Sequence, residues 1–296
     1  MRNRPQHDRL QWQSTAILST MLFVASIYVI FSTFSAVATM PFLYGLIACC
    51  ALALLASLLR SVTPSAAITG AVLSFSLYLS TVTSNRPWVR TSLVPLLTLF
   101  VLTYLATQFR RDGKARMGNA EAKTGRNAAQ VAANIGVASL VVPVLLSPHW
   151  LLQSSRGWEI VGLAVFPAMI AALAESAADT VSSEIGQAVG GAPRMLTTWR
   201  VVPEGTDGAI SFKGTLAGLA SALLIVLVSM KVLQLPSKVG MLAFSGGVFG
   251  LFFDSLLGAT LERQGRINND AVNFLSTLAA AVFAGSAAVI IAIADR

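Results

Sequence analysis

The sequence predicts an all-α bundle of about nine membrane-spanning helices. Two observations on composition carry that expectation. Charged residues make up only 11% of the 296 positions while hydrophobic ones make up 55%, with a mean hydropathy of +0.70; soluble domains carry about a quarter charged residues. The third observation is that the apolar residues come in long blocks without the period-two alternation of a barrel strand, and inside lipid only helices or closed barrels satisfy the backbone. Such a composition excludes a soluble enzyme, a disordered chain and a disulfide scaffold, since the only cysteines, Cys49 and Cys50, are adjacent within an apolar run.

Taken in order, the blocks long enough to approach the ~20 residues of a span are 15–34, 38–59, 66–83, 91–109, 128–146, 159–177, 215–235, 239–257 and 272–294. Basic residues fall unevenly between their alternate ends. The tail before the first block, Arg60, the segment 110–126, the group Arg194, Arg200 and Lys213, and the pair Arg263 and Arg266 hold 15 of the 21, against 6 on the other side. By the positive-inside rule the N-terminus is cytoplasmic, the C-terminus outside, and the loops 110–126, 187–213 and 262–270 are cytoplasmic. The expected location is a bacterial plasma membrane. A net charge of +8 distributed this way answers to membrane lipid rather than to nucleic acid. Three arginines, an apolar run and Ala36-Val37-Ala38 also fit a signal peptide, but the run is longer than the usual core of one, so an uncleaved anchor is expected.

Polar residues divide the chain. Of the 13 acidic residues only Asp8 precedes residue 110, so residues 1–109 are expected to form a four-span scaffold and 110–296 the chemically active part. Within the latter, the basic, glycine-bearing segment 110–134 contains Lys114, Arg126, Gln130 and Asn134. Glycines beside basic residues suit phosphate, although no Walker pattern is present, and the same charges suit anionic headgroups. Next comes ESAADTVSSEIG, residues 175–186, where Glu175 and Asp179 share a helical face with Ser176 and Ser183 beside them. Two carboxylates at membrane depth require a cation. Without usable histidine or cysteine, a carboxylate and hydroxyl site suits Mg²⁺ or Mn²⁺; the competing reading is arginine pairing or proton coupling. Glu184 points nearly opposite Glu175 on an unbroken helix and joins only through a bend.

Further on, Gly205-Thr206-Asp207-Gly208 is a turn sequence, and Ser211, Gly214 and Thr215 precede the next span, an arrangement suited to an anion at a helix N-terminus. Asp254 stands alone in an apolar block and Asn273 just inside the last one; an intramembrane aspartate is a functional hypothesis by default.

In order, GRNAAQVAAN, DTVSSEIG, PRMLTTWRVVPEGTDGAISFKGTLAG, FDSLLGAT and NNDAVNFLST resemble the integral-membrane family that contains plant and cyanobacterial phytyl-phosphate kinase and the animal transmembrane protein nineteen. The resemblance runs from about residue 110 to the C-terminus. It implies a kinase that uses CTP and Mg²⁺ to convert an isoprenyl monophosphate, such as phytyl or geranylgeranyl phosphate, to its diphosphate. Carried over, Asp179, Glu184 and Asp254 form the acidic core and Gly205, Thr206, Asp207, Gly208 and Ser211 line the nucleotide side; beside these, the helical face shared with Asp179 makes Glu175 a metal ligand with Asp179 and Asp254, and Lys114, Arg126, Asn134, Gly214 and Thr215 are expected to bind the nucleotide. Gly208-Ala209-Ile210-Ser211 departs from the commoner Gly-Gly form at that place.

Two other classes fit part of the pattern: an ion- or proton-coupled transporter using Glu175, Asp179 and Asp254, and a cytidylyltransferase making a CDP-linked lipid. Small residues at four-residue spacing, Ala164, Ala168 and Ala172, Gly214 and Gly218, and Gly246 and Gly250, predict close helix packing or, alternatively, a groove for a prenyl tail.

Overall fold

A computed structural model describes residues 11–34, 39–82, 88–111, 125–146, 155–189 and 191–295. Among them are nine helices: α1 (Trp12–Phe34), α2 (Thr39–Leu58), α3 (Pro64–Leu79), α4 (Leu93–Gln108), α5 (Ala128–Leu146), α6 (Ser155–Val189), α7 (Phe212–Leu233), α8 (Ser237–Leu257) and α9 (Asn269–Ala294). Six are long and apolar enough to cross a membrane; α3, α4 and α5 are apolar but shorter. The chain is a polytopic helical membrane protein, as its hydropathy predicts.

Local chemistry sets the helix starts. Thr63 caps α3 by accepting from Ala66 N, with Pro64 in the first turn. At α5, Asn127 and Gln130 cap reciprocally, Gln130 N donating to Asn127 Oδ1 at 3.0 Å and Asn127 N to Gln130 Oε1 at 2.8 Å. Ser211 caps α7 and Asn268 caps α9. A left-handed Gln234 followed by Pro236 ends α7 and starts the tight return into α8.

The starts of α1, α3, α5, α7 and α9 and the ends of α2, α4, α6 and α8 meet at one end of the bundle, as an up-and-down order requires. Side chains stitch that end together. Ser14 on α1 donates to Asp270 on α9 at 2.6 Å, and Asn268 Nδ2 donates to Ser14. Arg126 N donates to Ser61 O at 2.9 Å and Thr63 N to Arg126 O at 3.0 Å, tying the α2–α3 link to the start of α5. Gly125 makes this possible: its φ is +77°, and a Cβ there would meet the Ser61 and Val62 backbone.

The central element is α6, which packs on α4, α5, α7, α8 and α9. It departs from the expected span 159–177, because the polar sequence 178–189 continues the same helix. That extension is stabilised by close backbone approach: a Cβ at Gly214 would lie 2.6 Å from Ser182 O, and one at Gly218 2.8 Å from Ala178 O. Similarly a Cβ at Gly246 would lie 2.9 Å from Ala171 Cβ, and one at Gly250 2.5 Å from Glu175 Cγ and 2.8 Å from Ala280 Cβ. The small residues are therefore helix contacts, and the alternative of a lipid-open groove at Gly218 and Gly250 is overturned.

Two further features lie beyond the helices expected from hydropathy. A two-stranded antiparallel hairpin, β1 (Arg194–Met195) with β2 (Ala209–Ile210), sits between α6 and α7. A π-helical turn, Gly258–Glu262, extends α8, a feature frequent at functional sites.

Candidate active site

Continuity of α6 puts Glu175 and Asp179 one turn apart on a helix surrounded by others. Glu175 is 1% exposed; Asp179 and Asp254 are half-buried. Gly250 is what admits Glu175 to the α6–α8–α9 junction, since any side chain at 250 would occupy the place of its Cγ. Asp254, one turn along α8 from Gly250, reaches the same place. The three carboxyl groups act on one another electrostatically, and Ser276 of α9, whose Oγ donates to Asn273 O at 3.0 Å, lies near both Glu175 and Asp254.

Arg126 supplies the nearest positive charge. Its backbone is clamped to residues 61–63, its Nη2 donates to Thr180 Oγ1 at 3.4 Å, and its charge acts on Asp179. Among the described residues, one arginine acts on a centre of three carboxyls. Glu175 Oε1 and Asp254 Oδ2 are both buried without a hydrogen-bond partner. Orphaned carboxylate oxygens at depth are costly, and two of them on different helices facing one junction fit a hard divalent cation. Among the described residues no three His, Cys, Asp or Glu side chains stand ready as a metal cage. Magnesium characteristically uses one or two carboxylates and completes its shell with water and phosphate oxygens, which is the fit this donor set allows.

Other sequence-predicted residues divide into those brought near and those otherwise engaged. Glu184 turns toward α4, where Thr107 Oγ1 donates to it at 3.2 Å, although its charge still acts on Asp179. Gly205 to Gly208 form a turn in which Thr206 Oγ1 and Thr206 N donate to Pro203 O and Ala209 N donates to Thr206 O. Gly208, at φ +73°, packs on Ser255 O and Ala259, so the turn sits directly over the end of α8 beyond Asp254. Asp207 is exposed there. Ser211 Oγ accepts from Gly214 N, and Thr215 N donates to Ser211 O. These groups are thus occupied in capping α7, leaving the amides of Phe212 and Lys213 at its start. Asn273 donates to Asn134 at 3.2 Å inside the bundle, away from that turn. Lys114 lies outside the described residues.

Sequence reasoning passed over Ser276, Thr180 and Gly125. All three stand within the quoted motifs, but nothing in the order of residues says that they face Asp254 or lock Arg126. It also passed over a cavity beside Arg126, walled mainly by α2, α3, α4 and α5, with Ser176 of α6 also lining it.

Comparison with known proteins agrees with the motifs. The chain is 34% identical to a membrane protein of Methanocaldococcus jannaschii, MJ0933, over 63% of this chain and 71% of that one. It is 30% identical to the chloroplastic protein VTE6 of Arabidopsis thaliana over 60% of this chain and 52% of that one. With the Arabidopsis protein PGR it shares 32% identity, over 57% and 64%. The chain thus spans about half the length of VTE6. No solved structure matches it. The profile of the family described as Integral membrane protein DUF92 matches residues 47–281, which take in α3 to α8, all of the quoted motifs and Glu175, Asp179 and Asp254, and the chain belongs to that family.

Proposed function

We propose that the protein is a lipid kinase that transfers the terminal phosphoryl group of a nucleoside triphosphate, CTP in the first instance, to an isoprenyl monophosphate such as phytyl or geranylgeranyl phosphate. The observation that carries this reading is the junction of Glu175, Asp179 and Asp254 with two orphaned buried oxygens, one clamped arginine and a glycine turn above it. The motif resemblance to the phytyl-phosphate kinase family and the relationship to VTE6 supply the substrate class.

The chemistry needs little covalent help. A non-bridging oxygen of the acceptor monophosphate attacks the terminal phosphorus, the bond to the bridging oxygen breaks, and the nucleoside diphosphate leaves with the electron pair. The acceptor is already largely ionised near neutral pH, so no histidine base is required. Positioning and charge neutralisation dominate such transfers. Asp179 and Asp254, with Glu175 behind them, would hold Mg²⁺, which when bound neutralises and aligns phosphate oxygens. Arg126 holds the acceptor phosphate beside Asp179. The 205–208 turn and the free amides at the start of α7 take the nucleotide phosphates, with Asp207 open to the base or sugar. The carboxylates gather toward the loop-bearing end, where a soluble nucleotide meets a membrane-borne acceptor; by the distribution of basic residues that end faces the cytoplasm.

The test is turnover by the purified protein in nanodiscs with phytyl or geranylgeranyl phosphate, each nucleoside triphosphate in turn, and Mg²⁺, followed by mass spectrometry of the lipids. The reading expects prenyl diphosphate and nucleoside diphosphate in equal amounts. A CDP-linked lipid with pyrophosphate would make the protein a cytidylyltransferase instead, and solute uptake into proteoliposomes without nucleotide turnover would make it a transporter.

A further inference from the structure

The cavity beside Arg126 has a polarity gradient along its length. Its mouth, at the loop-bearing end, carries Arg60, Arg111 and Arg126; its inner end is walled by apolar residues such as Leu52, Leu96, Leu99 and Ile135. From Cys49 to the end of α2 at Leu58, two residues before Arg60, the wall runs for about 14 Å at the rise of a helix. The helices around it include α3, α4 and α5, the three too short to count as full spans. Gly70 of α3 lines the cavity, and a Cβ there would meet only Val131 Cγ1, at an ordinary 3.7 Å. This is the opposite of Gly218 and Gly250, where no Cβ fits.

An apolar slot with an arginine mouth matches an amphiphile that has an anionic head and a hydrocarbon tail. Arg126 fixes the direction, since the guanidinium at the mouth is also the one acting on Asp179. From this we infer that the cavity between α2, α3, α4 and α5 is the acceptor's tail channel, and that the isoprenoid lies within the N-terminal helices while Arg126, Arg60 and Arg111 present its phosphate to the carboxylate junction. The inference rests on the proposed lipid-phosphate acceptor and adds where it binds and what sets its length. The N-terminal helices thereby take part in substrate selection rather than serving as scaffold alone.

Photolabelling tests occupancy without turnover. A geranylgeranyl phosphate carrying a terminal diazirine is irradiated with the wild-type protein in phosphatidylcholine nanodiscs, and the labelled peptides are sequenced. Label is expected on α2, α3 or α4 around Ala53, Gly70 and Leu96, displaced by unlabelled geranylgeranyl phosphate, by geranylgeraniol only in much larger excess, and not by inorganic phosphate. Equal displacement by phosphatidic acid would assign the cavity to ordinary phospholipid and overturn the inference, as would label confined to the outer faces of α7 to α9. Arg126→Ala should weaken displacement by the phosphate but not that by a large excess of the alcohol. In a second arm, Gly70→Leu fills the slot, and its preference for geranylgeranyl over geranyl phosphate, read by binding competition, should fall about tenfold, the worth of roughly two buried methylenes. An unchanged preference in the folded variant overturns the tail channel. Competition needs no phosphoryl transfer, so binding without turnover would refute the kinase and leave the channel standing, while turnover with label elsewhere would do the reverse.

Discussion

At single residues, the decisive feature is a group of carboxyls in which Glu175 Oε1 and Asp254 Oδ2 are buried without a hydrogen-bond partner among the described residues. Asp179 and Asp254 are expected to be indispensable while being poor contributors to folding, because replacing an uncompensated charge by a neutral isostere removes repulsion and desolvation cost together. Asp179→Asn and Asp254→Asn should each lower turnover by about a hundredfold or more, the scale of losing one electrostatic contact to developing charge. Their thermal unfolding in detergent should equal or exceed that of the wild type. Near-normal turnover of either variant across a Mg²⁺ titration would remove that residue from the site. The pairing of Glu175 with Asp179 was readable from an i to i+4 spacing. Its convergence with Asp254 was not, because that depends on Gly250 leaving room for a glutamate from another helix.

Among the elements, α6 carries the most consequence. Hydropathy ends its span near Ala177, since the following residues are polar; the helix instead runs to Val189, because Gly214 and Gly218 of α7 let that helix pack on its backbone. A polar helix end buried against glycines has no hydropathy signature, whereas the start of α5 does, as the Asn127 and Gln130 capping pair. Substitutions at the glycine contacts should act on stability and not on chain-length preference. Gly218→Leu and Gly250→Leu are expected to cost about 1–3 kcal/mol or more through overpacking, seen as a lowered unfolding temperature, with short and long prenyl phosphates affected alike. A selective loss of the longer substrate would reopen the groove reading at these positions.

For the molecule as a whole, nine apolar blocks became nine helices because span length and backbone satisfaction leave few alternatives in lipid. Helix order was therefore legible, and the meeting of alternate helix ends at one end follows from it. The cavity was not legible, since its wall is assembled from four helices whose small and apolar residues read individually as packing. Orientation rests on the excess of basic residues at the loop-bearing end. In a background lacking Cys49 and Cys50, Thr198→Cys and Gln264→Cys should react with impermeant maleimide only in inverted vesicles, and Gln234→Cys at the opposite end in intact cells; the reverse pattern would invert the topology.

The central claim is that a lipid phosphate receives the terminal phosphoryl group of a nucleotide. Its most direct measurement follows two isotopes through the reaction: the purified protein in nanodiscs is given geranylgeranyl phosphate and Mg²⁺ with CTP labelled in the γ-phosphate or, in parallel, in the α-phosphate. A kinase of this kind places γ-label in the lipid in step with diphosphate formation and leaves α-label in soluble CDP, with neither transfer in Asp254→Asn. Incorporation of α-label into lipid, or lipid product formed with the γ-label released as free phosphate, would contradict that claim.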